Sequence, residues 1–155
     1  MEDGTYEQTR GEYSVSTDRS LLDFDVIHAF LTHSYWCPGI PMEAVHKAAA
    51  NSLNFGLYLG TVQIGYARVV TDYTRYAYLL DVFVLREHRG HGLGKWLMQC
   101  VVQCPTLQDL RAIALGTRDA QGLYRQFGFE PVQDPSRYMV RRREMPWYQP
   151  DLIQE

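Results

Sequence analysis

No apolar run in the sequence approaches the length of a membrane span, and no basic excess runs through it. The first absence removes the transmembrane classes, so no membrane partner is expected. The second argues against nucleic acid as a partner. Fifteen Lys and Arg stand against 18 Asp and Glu, a net charge of -3, and a general binder needs a basic face to neutralise phosphates. Cysteine is scarce: Cys37, Cys100 and Cys104 are an odd number, unlike a disulfide framework, and a cytoplasmic setting is expected. Twelve Gly and seven Pro are too few for collagen-like or low-complexity chains. The acidic opening residues, MEDGTYEQTRGE, are not expected to act as a signal peptide.

What is present suits one globular domain. The 155 residues are 46% hydrophobic and 21% charged. A chain of that length buries roughly two-thirds of its unfolded surface, so it needs no staples.

Residues 1–11 are polar and read as a flexible arm, and Glu12 to Ser16 as a short first strand. Ser20 and Asp23 have the S-x-x-D spacing of a helix start, with Phe24, Ile27 and Leu31 marking one face to about His33. The segment Ser34 to Ile40 breaks that helix with Pro38 and Gly39, and Pro41 suits the first position of a second. Alternation then predicts strands over Phe55 to Leu59 and Ile64 to Val70, joined by a turn at Gly60-Thr61, and a third from Tyr76 to Leu85. The stripe Leu93, Trp96, Leu97, Cys100, Val101, Cys104 is helical. Arg111 to Leu115 reads as a strand, Asp119 to Phe127 as a helix, and Phe129 to Arg141 as a final strand pair.

The segment most suggestive of chemistry is the loop Arg89-Gly90-His91-Gly92-Leu93-Gly94-Lys95 between a strand and a helix. Glycines let backbone amides approach a ligand, and a helix N-terminus adds about half a positive charge, which together suit a phosphate or pyrophosphate. A P-loop fails here because Trp96 follows Gly94-Lys95. A dinucleotide fingerprint fails because Lys95 stands where a third glycine is required. The spacing that fits is R-x-x-G-x-G; without a ligand, the same residues make a tight strand-to-helix turn.

Val84 followed by Arg89-Gly90-x-Gly92-x-Gly94 resembles the acyl-CoA pyrophosphate loop of the GCN5-related N-acetyltransferases. The run Asp119-Ala120-Gln121-Gly122-Leu123-Tyr124-Arg125-Gln126-Phe127-Gly128-Phe129 is similar to a second motif of that family. The resemblance spans about residues 12–145, with 146–155 left as a tail. It implies a single-domain α/β fold, with a mixed, mostly antiparallel sheet flanked by about four helices. It also implies an enzyme using acetyl-CoA as cosubstrate, without a metal. The backbone of Val82, Phe83 and Val84 would then hold the pantetheine arm, and the amides of Arg89 to Gly94 with Lys95 the pyrophosphate. Asp119 departs from the Asn often found there and would serve as a helix cap. Tyr124 would lie near the thioester sulfur, as a proton donor, as a hydrogen-bond donor, or simply as a core aromatic.

Asp81 is the one carboxylate in the apolar strand Tyr76 to Leu85, placed by simple alternation on one face with Ala77, Leu79 and Phe83. Partial desolvation there would suit a base that neutralises an amine; the other reading is a structural acceptor. His28, His33 and His46 have no metal-ligand spacing. Tyr35 and Trp36 offer an aromatic wall for a cationic amine, either a small molecule or a peptide amine. The expected reaction is direct acetyl transfer to a primary amine in a ternary complex. The alternative is a CoA-binding regulatory module with little turnover, and a homodimer is left open.

Overall fold

The computed structural model describes residues 4–154. Six strands form one sheet in chain order, β1 Glu7–Arg10, β2 Tyr13–Ser16, β3 Leu53–Leu59, β4 Val62–Thr71, β5 Tyr76–Val84 and β6 Ala112–Ala114. Neighbours are antiparallel except β5 and β6, which run parallel. The helices are α1 Phe24–Leu31, α2 Met42–Ala50, α3 Leu93–Gln103 and α4 Gln121–Arg125. No helix among the described residues is long and apolar enough to cross a membrane.

Two apolar clusters occupy opposite faces of the sheet. Ile27 and Leu31 of α1 and Val45 of α2 bury against Tyr66 and Phe83. The α3 residues Leu93, Leu97, Cys100 and Val101 bury against Val69, Ala77, Leu79 and Val84. Phe83 stacks on Phe30 with centroids 4.0 Å apart, and burying such a side chain stabilises by about 1.5–3 kcal/mol.

β5 crosses both clusters because it carries a bulge. Tyr66 pairs with Phe83 and Arg68 with Leu80, so one residue lies between the partners on β4 and two on β5. The extra residue lies at Asp81, whose φ of 56° is left-handed. Before the bulge, Ala77 and Leu79 point to the α3 face; after it, Val84 does, and Phe83 points to the α1–α2 face. Asp81 therefore does not share a face with Ala77 and Leu79, as simple alternation predicts.

Other expectations are also corrected. Glu7–Arg10, read as part of an arm, pairs with β2. Asp23, read as the fourth residue of a helix start, is the N-cap of α1 and accepts from the amides of Asp25 and Val26. Pro41 occupies the N-cap of α2 rather than its first turn. Residues 129–141 form no strand pair: Tyr138, Met139 and Val140 are largely exposed. The described residues of the expected 146–155 tail are docked, with the Gln149 amide donating to Pro38 O at 3.0 Å and the Gln154 amide to His33 O at 2.9 Å.

Candidate active site

β5 and β6 pair only over Tyr76–Tyr78 and Ala112–Ala114, so the strands part beyond them. A cleft of about 330 Å³ opens there, bordered by Val82, Asp81, Thr117, Tyr124, Tyr35 and Trp36 among others. The Leu85 amide donates to Ile64 O at 2.8 Å and so faces β4. Backbone alternation then turns Phe83 toward β4 as well, and presents Val82 and Val84 along the open edge. Phe83 was expected to share that edge and does not. Val84's carbonyl accepts from Arg89 Nε at 2.9 Å, which leaves Val82 as the carbonyl free for a strand-like ligand. Arg89 thereby ties the glycine loop to the end of β5.

That loop is exposed and shaped for an anion. Gly90 and Gly92 have φ of 87° and 73°, conformations that glycine adopts at no steric cost. Gly92 is the N-cap of α3, so the amides of Leu93, Gly94 and Lys95 lack an earlier turn to bond to. Among the described residues, the amides of Gly90, His91 and Gly92 donate to no backbone acceptor. A side chain at Gly90 or Gly92 would meet nothing within 4 Å, so the space above the loop is open to a phosphate. The residues present fit a pyrophosphate.

Tyr124 sits on α4, 9% exposed, edge-on to Phe129 at 5.9 Å between centroids. Burial, and then the neighbouring Tyr35 and Asp119, push its phenol up to about 12, so it keeps its proton at neutral pH. Asp119 does not cap α4: its side chain lies 3.7 Å from Arg118, and Thr117 Oγ1 accepts from the Ala120 amide instead.

Asp81 is held from two sides. Oδ2 accepts from Arg68 Nε at 2.8 Å and Oδ1 from Trp36 Nε1 at 2.9 Å. Arg68 also donates to Ser52 Oγ at 2.9 Å. A carboxylate has about four lone-pair sites, so room remains for an incoming N–H. The bulge aims this group across the sheet to Trp36. The sequence reading missed Arg68; the available signal was the one charged residue of β4 beside a strand with one carboxylate. It also missed the support of Tyr35, which accepts from the Arg118 amide at 3.1 Å and lies 4.1 Å beneath that guanidinium.

The Tyr35–Trp36 loop is braced from behind by the C-terminal segment. His33 Nδ1 lies 2.9 Å from Leu152 O, and a side chain at Gly39 would run into Trp147 O. Removing residues 146–155 deletes three such bonds. At about 1 kcal/mol each, thermal unfolding should fall by roughly 6–12 °C. An unchanged unfolding temperature on removal of these residues would mean the segment does not brace this loop.

His28 and His46 pack rather than cluster: His28 Nε2 lies 3.0 Å from Ile40 O and His46 stacks on Phe24. Among the described residues no group of three or more His, Cys, Asp or Glu side chains converges as a metal site.

A parted pair of parallel strands, an amide-rich loop capping a helix, and a buried phenol in the cleft define a domain with room for an extended, phosphate-bearing ligand. Comparison with known proteins gives that class its family. Residues 51–131 match the acetyltransferase (GNAT) domain. A Gibberella zeae protein described as a candidate acetyltransferase is 36% identical over 139 residues, covering 75% of this chain and 77% of that one. A crystal structure of a GNAT-family candidate acetyltransferase from Xanthomonas campestris pv. campestris is 46% identical. It covers 84% of this chain and 92% of that one, with a TM-score of 0.82. A Clostridium acetobutylicum structure determined with acetyl-CoA shares the fold, at TM-score 0.60 and 14% identity over 89% of this chain and 94% of that one. The chain belongs to the GNAT acetyltransferase family, which transfers acetyl groups from acetyl-CoA.

Proposed function

We propose that the chain acetylates a primary amine by direct attack on acetyl-CoA, both substrates being bound together. The observation that carries this reading is one continuous cleft. It joins the open Val82 edge to Tyr124 on one side and to Asp81, Tyr35 and Trp36 on the other. Support for acetyl-CoA comes from the loop geometry and from the Clostridium acetobutylicum fold relative that holds it.

The thioester lies along Val82 with its phosphates on the Gly90–Lys95 amides. The amine enters beside Trp36, its nitrogen against Asp81. A carbon–nitrogen bond forms at the thioester carbonyl, and collapse breaks the carbon–sulfur bond. Asp81 accepts the proton that leaves nitrogen, and Tyr124 donates a hydrogen bond to the departing thiolate. Asp81 combines positioning with proton acceptance, because Arg68 and Trp36 fix its plane.

A screen of primary amines for CoA release tests the reading; acetyl-CoA binding without release for any amine would favour a binding module. Asp81→Asn tolerates the left-handed backbone but sets an amide N–H against one of its two donors, Arg68 or Trp36. Turnover should fall roughly 10²-fold at neutral pH, with partial rescue at high pH where free amine is abundant. An unchanged pH profile would reduce Asp81 to a structural acceptor.

No acyl-enzyme is part of this scheme. Cys37 is the cysteine nearest the cleft, yet burial pushes its thiol up to about 11 and Ser34 Oγ lies 3.3 Å away. Thiolate is the nucleophile, so a thiol kept protonated is inert at pH 7. Cys37→Ser should retain most turnover, and mass spectrometry after acetyl-CoA alone should show no stoichiometric adduct. A burst of CoA without acceptor would overturn direct transfer.

A further inference from the structure

Behind Trp36 lies a second cavity of about 160 Å³, between the α1–α2 pair and the sheet. Its apolar wall comes from Leu31, Ile40, Val45, Ala48 and Leu80. Trp36, Leu80 and Asp81 line both this cavity and the cleft, so the two spaces adjoin across these residues, the Asp81 carboxylate among them. The charged side chains around it are Arg68 and Asp81, which pair at 2.8 Å and cancel. Its other polar neighbours are also engaged: Cys37 with Ser34, and the Tyr66 hydroxyl with Asn54.

We propose that this cavity seats the body of the acceptor, and that the acceptor is a compact monoamine with an uncharged apolar body. The inference rests on the acetyltransferase reading and narrows its substrate class. Size sets the first limit, since an apolar cavity of about 150 Å³ accommodates a benzene-sized guest. An arylmethylamine or a branched alkylamine of four to six carbons fills the space with its nitrogen at Asp81. Polarity sets the second. A second ammonium, as in a polyamine, would be desolvated near Arg68 with no further carboxylate lining the cavity to meet it. The hydroxyls of an aminoglycoside would lose water and find partners already taken. A protein lysine would present its nitrogen first and leave the cavity unfilled.

The test measures CoA release by the full chain with benzylamine and isoamylamine against spermidine, an aminoglycoside and a lysine peptide. The compact monoamines should exceed the others at least tenfold in kcat/KM. Ala48→Phe, which fills the cavity, should raise the benzylamine KM tenfold or more while leaving the acetyl-CoA thermal shift intact. Ala48→Leu does the same more mildly should the larger side chain prevent folding. Preference for spermidine, the aminoglycoside or the peptide, with a normal acetyl-CoA shift, overturns the substrate class and leaves the acetyltransferase reading standing. Equal effects of Ala48→Leu on all acceptors would overturn the cavity's role. Absence of both acetyl-CoA binding and release with every amine would remove the parent reading, and this inference with it.

Discussion

Tyr124→Phe is expected to lower kcat by roughly 10²-fold while acetyl-CoA affinity stays within about twofold. In the proposed scheme the hydroxyl faces developing charge, so its contact strengthens only as the carbon–sulfur bond breaks. Magnitudes decide what it does there. A phenol pushed up to about 12 opposes a thiol whose ordinary value is about 8.5. Full transfer would run uphill by about 5 kcal/mol, so donation of a hydrogen bond is the stronger role. The raised value also fixes the pH behaviour. A phenol held neutral in the folded state contributes stability that is complete below the unfolded value near 10 and is lost as pH rises through about 12. The rate should therefore show no falling limb centred at pH 10. Such a limb would mean Tyr124 titrates as an exposed tyrosine, and a Tyr124→Phe enzyme at full speed would remove it from the site.

Gly92→Val should abolish acetyl-CoA binding. A β-branched residue at φ of 73° is strained by about 1–3 kcal/mol, so the loop relaxes away from the shape that aims its amides outward. Its methyl groups also enter space that nothing else fills within 4 Å, where a phosphate would lie. With ligand at 100 times Kd, the native chain gains about 2.7 kcal/mol in stability, and the variant should gain none. Gly94 sits inside α3 without a positive φ, and Gly94→Ala should keep a measurable thermal shift. A full shift in Gly92→Val would mean the phosphates lie elsewhere.

The loop and α3 were legible because they are local. Glycine spacing and the apolar stripe from Leu93 to Cys104 each encode geometry within a dozen residues. The strands of the meander were equally clear, since alternation over Phe55–Leu59 needs no distant partner. What escaped the sequence depends on pairing. The shift of phase at Asp81 arises from register against β4, and nothing within Tyr76–Leu85 marks one residue as extra. Arg68 and Asp81 lie 13 positions apart and meet only once that register is set. Glu7–Arg10 is polar and exposed throughout, so β1 exists by its ladder to β2 rather than by burial. The β-branched and aromatic run Tyr138–Val140 has strand propensity, yet it finds no partner among the described residues and stays irregular.

The bulge makes β5 behave like a reading frame. A substitution at Asp81 alters one word: it removes a carboxylate and leaves Phe83 on Phe30 and Val82 on the open edge. Deleting the same residue shifts everything downstream by one. Phe83 would then be sent to the α3 side or dragged back at the expense of the ladder, and the cleft would face a different set of backbone groups. Shortening this strand by one residue should therefore cost the core and both substrates together, whereas Asp81→Asn should leave the acetyl-CoA thermal shift in place.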